Sequence, residues 1–300
     1  MQNELHTTIN EKNRTERGVI YLVATPIGNL ADISERAKKV LSEVDFIAAE
    51  DTRNTAKLLS CFGIRKELIS YYEHNKRERG EIIVSRVESG ESVALVTDAG
   101  MPAISDPGED LVRLASERGV RVLIVPGCCA AVSALALSAL STGRFCFEGF
   151  LSMNKRERRE RLAEIRAERR TMIFYEAPHK LRATLSDLAE TFGEDRPLSL
   201  CRELTKLNEE TARTTIGKAI EYYASSEPRG EYVLVLMGRD EYEALTGKKQ
   251  DDSPFALLSP AEHVKHYEGL GMSRMDAIKA AAKERGVSKS ELYKILCDEK

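Results

Sequence analysis

The sequence lacks both a membrane-spanning apolar run and an excess of charge of one sign. Its longest mostly apolar stretch, 128–140, contains two serines and is shorter than the ~20 residues that a membrane helix requires. The 45 Lys and Arg residues against 48 Asp and Glu residues give a formal net charge of −3, so no global basic excess indicates a polyanionic ligand. With 42% apolar residues, the chain is predicted to be a soluble globular protein.

Cysteine and histidine spacing argues against the common metal sites. The six cysteines contain no CxxC pair, and Cys128 and Cys129 are adjacent, a pattern that suits neither zinc nor a disulfide framework and favours a reducing cytoplasm. His263 and His266 have no partner set of acids or cysteines nearby in the sequence, so they are predicted to lie on the surface. Residues 1–17 are polar and lack the apolar segment of a secretion signal, which predicts a mobile tail.

The common nucleotide-binding glycine motifs are missing as well. The chain contains neither GxGxxG nor GxxxxGK[ST], which argues against ordinary dinucleotide binding and against a P-loop NTPase.

Short buried strands alternate with amphipathic helices along the first half of the chain. Runs such as 19–24 and 93–97 are apolar, and each is followed by turn residues and a helical pattern. This alternation predicts βαβ crossovers and a mostly parallel sheet. The predicted organisation is a tail at 1–17, an N-terminal α/β domain at 18–142, a C-terminal α/β domain at 143–240, a linker at 241–258 and a helix-turn-helix-like extension at 259–300.

Three loops stand at predicted strand ends: 25–29, 98–102 and 126–130. Because open α/β sheets bind ligands beyond the carboxyl ends of their strands, these loops together predict a small-ligand pocket. The alternative is that their prolines and glycines only turn the chain.

Charged and aromatic residues follow other predicted strands. For Asp51 the alternatives are a functional carboxylate beside Glu50 and a cap for the next helix, while Arg53 is of a type that binds phosphate. In the segment 71–75, aromatic rings beside His74 suit stacking on a base, whereas Asn75 also suits a helix cap.

The segment 155–170 contains eight basic and four acidic residues on a predicted helix. One interpretation is contact with RNA phosphates. The other is a solvated helix with ion pairs between residues four apart, such as Glu157 with Arg161.

Several strand-end segments, taken in order, resemble the tetrapyrrole methylase-like superfamily, and more closely its ribosomal RNA small subunit methyltransferase I family. The segments that carry the resemblance are 23–30 (VATPIGNL), 49–53 (AEDTR), 97–102 (TDAGMP), 105–108 (SDPG), 125–127 (VPG), 145–150 (FCFEGF), 174–179 (FYEAPH), 202–206 (RELTK) and 230–232 (GEY). The helical tail at 273–296 also resembles that family's terminal extension.

This resemblance implies two α/β domains of the class III methyltransferase type with S-adenosylmethionine between them, and a cytoplasmic homodimer without a metal. It implies methylation of a cytidine ribose 2′-oxygen in the decoding region of 16S rRNA, within the small ribosomal subunit. The implied cofactor-binding residues are Ile27, Asp98, Ala99, Gly100, Met101, Cys129, Ala130, Tyr175, Glu176, Leu204 and Gly230. Met101, Cys128-Cys129 and Ala177 depart from the family pattern by small or apolar changes.

Methyl transfer to a ribose hydroxyl needs alignment and a route for the departing proton. The candidate bases are Glu50, Asp51, His74 and Lys206. The candidate RNA-binding residues are Arg53, Lys155, Arg156, Arg159 and Arg202. Two alternatives are a precorrin-type tetrapyrrole C-methyltransferase and a non-catalytic RNA-binding factor of the same fold.

Overall fold

The computed structural model describes residues 14–247, 258–285 and 287–298. They form two α/β domains followed by a small helical unit. Residues 1–13 of the predicted tail and 248–257 of the predicted linker lie outside the described residues.

The first domain contains a five-stranded sheet in which all strands run parallel, in the order β3-β2-β4-β1-β5. Its central strands are buried on both faces because helices cover both sides, as the continuous apolar runs predicted. Its elements are β1 (Val19–Val23), α1 (Glu35–Glu43), β2 (Phe46–Ala49), α2 (Thr52–Cys61), β3 (Glu67–Ser70), α3 (Lys76–Glu88), β4 (Val93–Val96), α4 (Gly108–Glu117), β5 (Arg121–Val125) and α5 (Ala130–Leu137).

The second domain contains a mixed sheet in the order β6-β7-β10-β8-β9, in which only the β6–β7 pair is parallel. Its apolar core forms between this sheet and the helices α6, α7 and α8. Its elements are β6 (Phe145–Phe150), α6 (Lys155–Glu164), β7 (Thr171–Glu176), α7 (Leu181–Phe192), β8 (Pro197–Arg202), β9 (Glu210–Thr215), α8 (Ile216–Ser225) and β10 (Tyr232–Leu236).

Helix α9 (Arg239–Thr246) extends from the end of the predicted C-terminal domain into the predicted linker, so residues 241–246 are helical and not a linker. Beyond it, α10 (Pro260–Gly269), α11 (Arg274–Glu284) and α12 (Lys289–Asp298) pack around a core of their own. The predicted surface position of His263 is wrong: its side chain is fully buried, with Nε2 3.0 Å from a Glu284 carboxylate oxygen and Nδ1 accepting from Arg285 Nε–H at 3.0 Å. Both ring nitrogens are therefore satisfied inside the helical unit, so this histidine has a structural role.

Candidate active site

A cavity of about 990 Å³ opens where the carboxyl ends of the first sheet's strands face the second domain. The loops after β1, β4 and β5 form one wall, and the ends of β7, β8 and β10 form the other. The cavity is lined by all the predicted cofactor-binding residues except Gly230, whose neighbour Glu231 does line it. The strand-end argument therefore located the cavity correctly.

An isolated antiparallel bridge joins the first two of these loops. Thr25 and Gly100 exchange both backbone hydrogen bonds, at 2.9 and 3.1 Å, and the Thr25 hydroxyl donates to the Thr97 carbonyl at 3.1 Å. Gly100 has a φ of +86°, a left-handed conformation that glycine adopts without strain. Its missing side chain also lets the Ile27 side chain approach closely. The bridge thus fixes the 98–102 loop against the first loop.

Tyr175 forms the aromatic part of the second-domain wall. Its hydroxyl accepts a hydrogen bond from the Ala131 backbone N–H at 3.2 Å, at the start of α5. Burial raises the pKa of Tyr175 to about 12, so the phenol stays neutral. This contact joins the two domains at the cavity floor.

Lys206, one of the candidate bases, is held by two carboxylates. Its Nζ lies 2.8 Å from Glu203 Oε1 and 2.9 Å from Glu231 Oε2. Burial lowers the pKa of Lys206, but the hydrogen bonds to the two carboxylates outweigh it and the net shift is upward. The ammonium is therefore charged at neutral pH and does not act as a base in this arrangement.

The backbone of this segment is strained. Glu203 and Thr205 have φ values of +51° and +65°, which non-glycine residues rarely adopt and which cluster at functional sites.

Glu50 is the other candidate base that reaches the cavity. Its carboxylate accepts a hydrogen bond from the Thr97 hydroxyl at 2.9 Å. Asp51 instead caps α2 by accepting from the Arg53 N–H at 2.8 Å, which confirms the capping interpretation. It also binds the Arg53 guanidinium, and these hydrogen bonds lower the pKa of Asp51 to about 2.

His74 and Arg202 are not among the residues that line the cavity. The His74 ring lies against Tyr72, with 6.2 Å between ring centroids, and Arg202 pairs with Glu210 at 2.9 Å. Asn75 occupies the N-cap position of α3, but its side chain makes no capping hydrogen bond and accepts instead from the Tyr72 N–H at 2.8 Å. Within the 71–75 segment, Glu73 lines the cavity, and Tyr72 and His74 lie beside it with exposed side chains.

The cavity is strongly acidic, a property that the sequence did not reveal. Two lysines line it, and the second, Lys76, lies 2.7 Å from Glu73 and 2.6 Å from Asp110. Both cations are therefore already neutralised, and the cavity suits a cationic or neutral ligand better than a phosphate. The eight lining carboxylates are Glu50, Glu73, Asp98, Asp106, Glu109, Asp110, Glu176 and Glu231.

Most of the basic side chains of helix α6 form ion pairs within the protein. Arg158 is buried, with Nε donating to Asp187 at 2.7 Å. Arg156 pairs with Glu160 at 2.8 Å, and Arg159 pairs with Asp187 and Glu190. The expected pair between Glu157 and Arg161 is wrong, because Glu157 accepts from Ser152 and Arg161 binds Glu148 and Glu164. The structure therefore favours the interpretation of this segment as a solvated helix with ion pairs, although the paired residues differ from those predicted.

Among the described residues, no group of three or more His, Cys, Asp or Glu residues is arranged to hold a metal ion. Within the same part of the chain, no helix has the length and apolarity needed to cross a membrane.

Comparison with known proteins agrees with this architecture. Residues 19–220 match the family model of the tetrapyrrole (corrin/porphyrin) methylases. The chain is 44% identical to the ribosomal RNA small subunit methyltransferase I of Halalkalibacterium halodurans, over 97% of this chain and 99% of that protein. It is 42% identical to the protein of the same name from Bacillus subtilis, over 96% of this chain and 97% of that protein.

A solved structure shares the fold at lower identity. The uroporphyrin-III C-methyltransferase of Thermus thermophilus, in complex with S-adenosylhomocysteine, superposes with a TM-score of 0.52 at 17% identity, covering 73% of this chain and 96% of that one.

Proposed function

The chain belongs to the ribosomal RNA small subunit methyltransferase I family, and we propose that it methylates a cytidine ribose 2′-oxygen in the decoding region of 16S rRNA. Membership makes it an S-adenosylmethionine-dependent rRNA methyltransferase. The observation that supports the finer proposal is a cavity with walls from two domains, in which Glu50 reaches the interior hydrogen-bonded to Thr97 while both described lining lysines are bound to carboxylates.

The residues of the cavity fit S-adenosylmethionine. When bound, this cofactor supplies an electrophilic methyl group on a cationic sulfonium centre, and the excess of carboxylates favours that charge. Ile27, Leu204 and Val233 offer an apolar surface for an adenine ring. The departures at Met101, Cys129 and Ala177 also line the cavity, and their small or apolar side chains preserve its closure.

Two side chains in the cavity supply the chemistry that remains. A ribose hydroxyl is a weak acid, so the transfer is assisted by a carboxylate that accepts its proton, and Glu50 is the candidate that reaches the cavity uncommitted to a cation. The Lys206 Nζ, whose charge is balanced by Glu203 and Glu231, has a further N–H that can donate a hydrogen bond and position the 2′-oxygen.

The RNA contacts and the assembly belong to the same proposal. The Arg53 side chain is 86% exposed, and Lys155 and Arg156 are exposed on α6, which suits contact with phosphates outside the acidic cavity. Carboxylates already bind Arg53, Arg156, Arg159 and Arg202, so contact with RNA would exchange a protein carboxylate for a phosphate at each of them. We propose a homodimer that acts on the small ribosomal subunit in the cytoplasm, where that substrate resides.

The experiment is methyl transfer from radiolabelled S-adenosylmethionine to small ribosomal subunits from cells that lack this enzyme, followed by nuclease digestion. Label in 2′-O-methylcytidine supports the proposal, and label in another nucleoside overturns the assignment of the methylated nucleotide. No label on RNA, together with a cofactor-induced rise in Tm, favours the tetrapyrrole C-methyltransferase. Neither label nor a rise in Tm favours the non-catalytic factor.

Replacing Asp98 with alanine is expected to raise the Kd for S-adenosylmethionine about 10- to 150-fold, because a hydrogen bond to a charged group contributes roughly 1.5–3 kcal/mol. Asp98 lines the cavity, and one of its oxygens is oriented by the Asn54 amide at 3.1 Å. Isothermal calorimetry measures the change, with Asp240→Ala as an exposed control outside this cavity. An unchanged Kd in a normally folded Asp98→Ala protein would remove Asp98 from the site.

A further inference from the structure

A β-bulge near the end of β6 turns an aromatic side chain into the cavity. The β6–β7 register shifts between Phe147 and Gly149, where Gly149 has a φ of +63°. In a regular strand, Phe147 and Phe150 would lie on opposite faces, because side chains alternate. With the extra residue, both rings contact Tyr175, at centroid distances of 5.0 and 5.4 Å. Bulges re-aim side chains in this way beside active sites.

The outermost ring of this aromatic group is exposed. Phe150 is 59% exposed and lines the cavity, whereas Phe174 on the adjacent strand is fully buried. Across the mouth, Ile104 from the first domain also lines the cavity and is 46% exposed. An aromatic ring that contacts Tyr175 at a tilted angle and is still largely exposed is available to stack on a planar ligand.

Charge decides which part of an RNA reaches this ring. Eight carboxylates and two lysines line the cavity, so its net charge remains negative after the ion pairs are counted, and this net charge repels phosphates. A nucleobase is neutral, and its flat face suits an aromatic ring. The sugar and base of one nucleotide therefore enter more favourably than the phosphates on either side.

We propose that Phe150 is the surface on which the target nucleobase stacks after its nucleotide has turned out of the RNA into the cavity. This inference rests on the proposed function and adds the residue that holds the base. Stacking there brings the attached ribose between the two walls, where Glu50 and Lys206 lie. Enzymes that modify a base extrude its nucleotide because the duplex blocks the reacting atom, and a cavity between two domains sets a similar requirement for a ribose.

The test compares Phe150→Leu and Phe150→Tyr with wild type in methyl transfer to small ribosomal subunits at saturating cofactor. Leucine keeps an apolar side chain but not the π-face, and tyrosine keeps both. We expect Phe150→Leu to lower kcat/KM about 5- to 150-fold, the range that corresponds to the loss of one stacked base, and Phe150→Tyr to retain most of it. Phe145→Leu, at the other end of β6 and outside this cavity, is the matched control.

Two further measurements, of the cofactor Kd and of the mass of the assembly, separate the explanations. If Phe150→Leu lowers kcat/KM while the cofactor Kd and the mass of the oligomer stay unchanged, the inference is supported. A raised cofactor Kd would assign the ring to the cofactor, and a dissociated dimer would assign it to a subunit contact; either result overturns the inference. If the wild type is active and Phe150→Leu has the same kcat/KM, this inference is overturned and the proposed function is not. A wild type that methylates no RNA overturns the proposed function and this inference with it.

Discussion

Glu50→Gln is expected to lower kcat for methyl transfer to small ribosomal subunits by about 10²–10⁴-fold, the range typical of a lost general base. Glutamine has nearly the same shape and still accepts the Thr97 hydroxyl hydrogen bond that orients Glu50, so only the capacity to take a proton is removed. The cofactor Kd should change little. Single-turnover kinetics with saturating S-adenosylmethionine measures the chemical step directly.

Asp51→Asn is the matched control for this prediction. Asp51 is the adjacent carboxylate, but it caps α2 and binds Arg53 instead of lining the cavity. Asparagine preserves the cap, so kcat should stay close to the wild-type value. If Asp51→Asn lost more activity than Glu50→Gln, the base would have been assigned to the wrong carboxylate.

Asp187→Ala is expected to lower the free energy of unfolding by about 3–5 kcal/mol, because it leaves a buried guanidinium without its counter-charge. Asp187 and Arg158 are both nearly inaccessible to solvent, and Arg159 also contacts Asp187 at 3.4 Å. The remaining Arg158 contacts are backbone carbonyls of Ser152 and Met153, which carry no full charge. Urea unfolding followed by circular dichroism measures the loss.

Glu160→Ala is the control on the same helix, because its pair with Arg156 is exposed and contributes at most about 1 kcal/mol. A second variant, Arg158→Met with Asp187→Leu, removes both charges and should recover most of the stability. Equal effects of Asp187→Ala and Glu160→Ala would show that the buried pair is already well solvated.

The sequence predicted the first domain better than the second for a physical reason. Strands β1, β2 and β4 are covered on both faces, so they are short continuous apolar runs that stand out from the helices. Strand β9 lies at the sheet edge, and its sequence, ETARTT, is polar, so no apolar run indicates a strand there. An edge strand with solvent on several sides carries little apolar pattern.

The same distinction applies to the candidate site. Residues on strand-end loops could be predicted, since parallel strands place their carboxyl ends at one edge. Lys76 and Asp110 could not, because their meeting depends on how α3 packs against α4. The orientation of Phe150 depends on a one-residue bulge that leaves no distinctive sequence pattern beyond Gly149.

The cavity with walls from two sheets also has a thermodynamic consequence. A molecule bound across it adds contacts between the domains and binds only when both are folded, so its binding free energy stabilises both together. Loading the cavity should therefore raise the temperature at which both domains unfold. In that state, a destabilising change in the second domain, such as Asp187→Ala, would also lower the stability of the first domain.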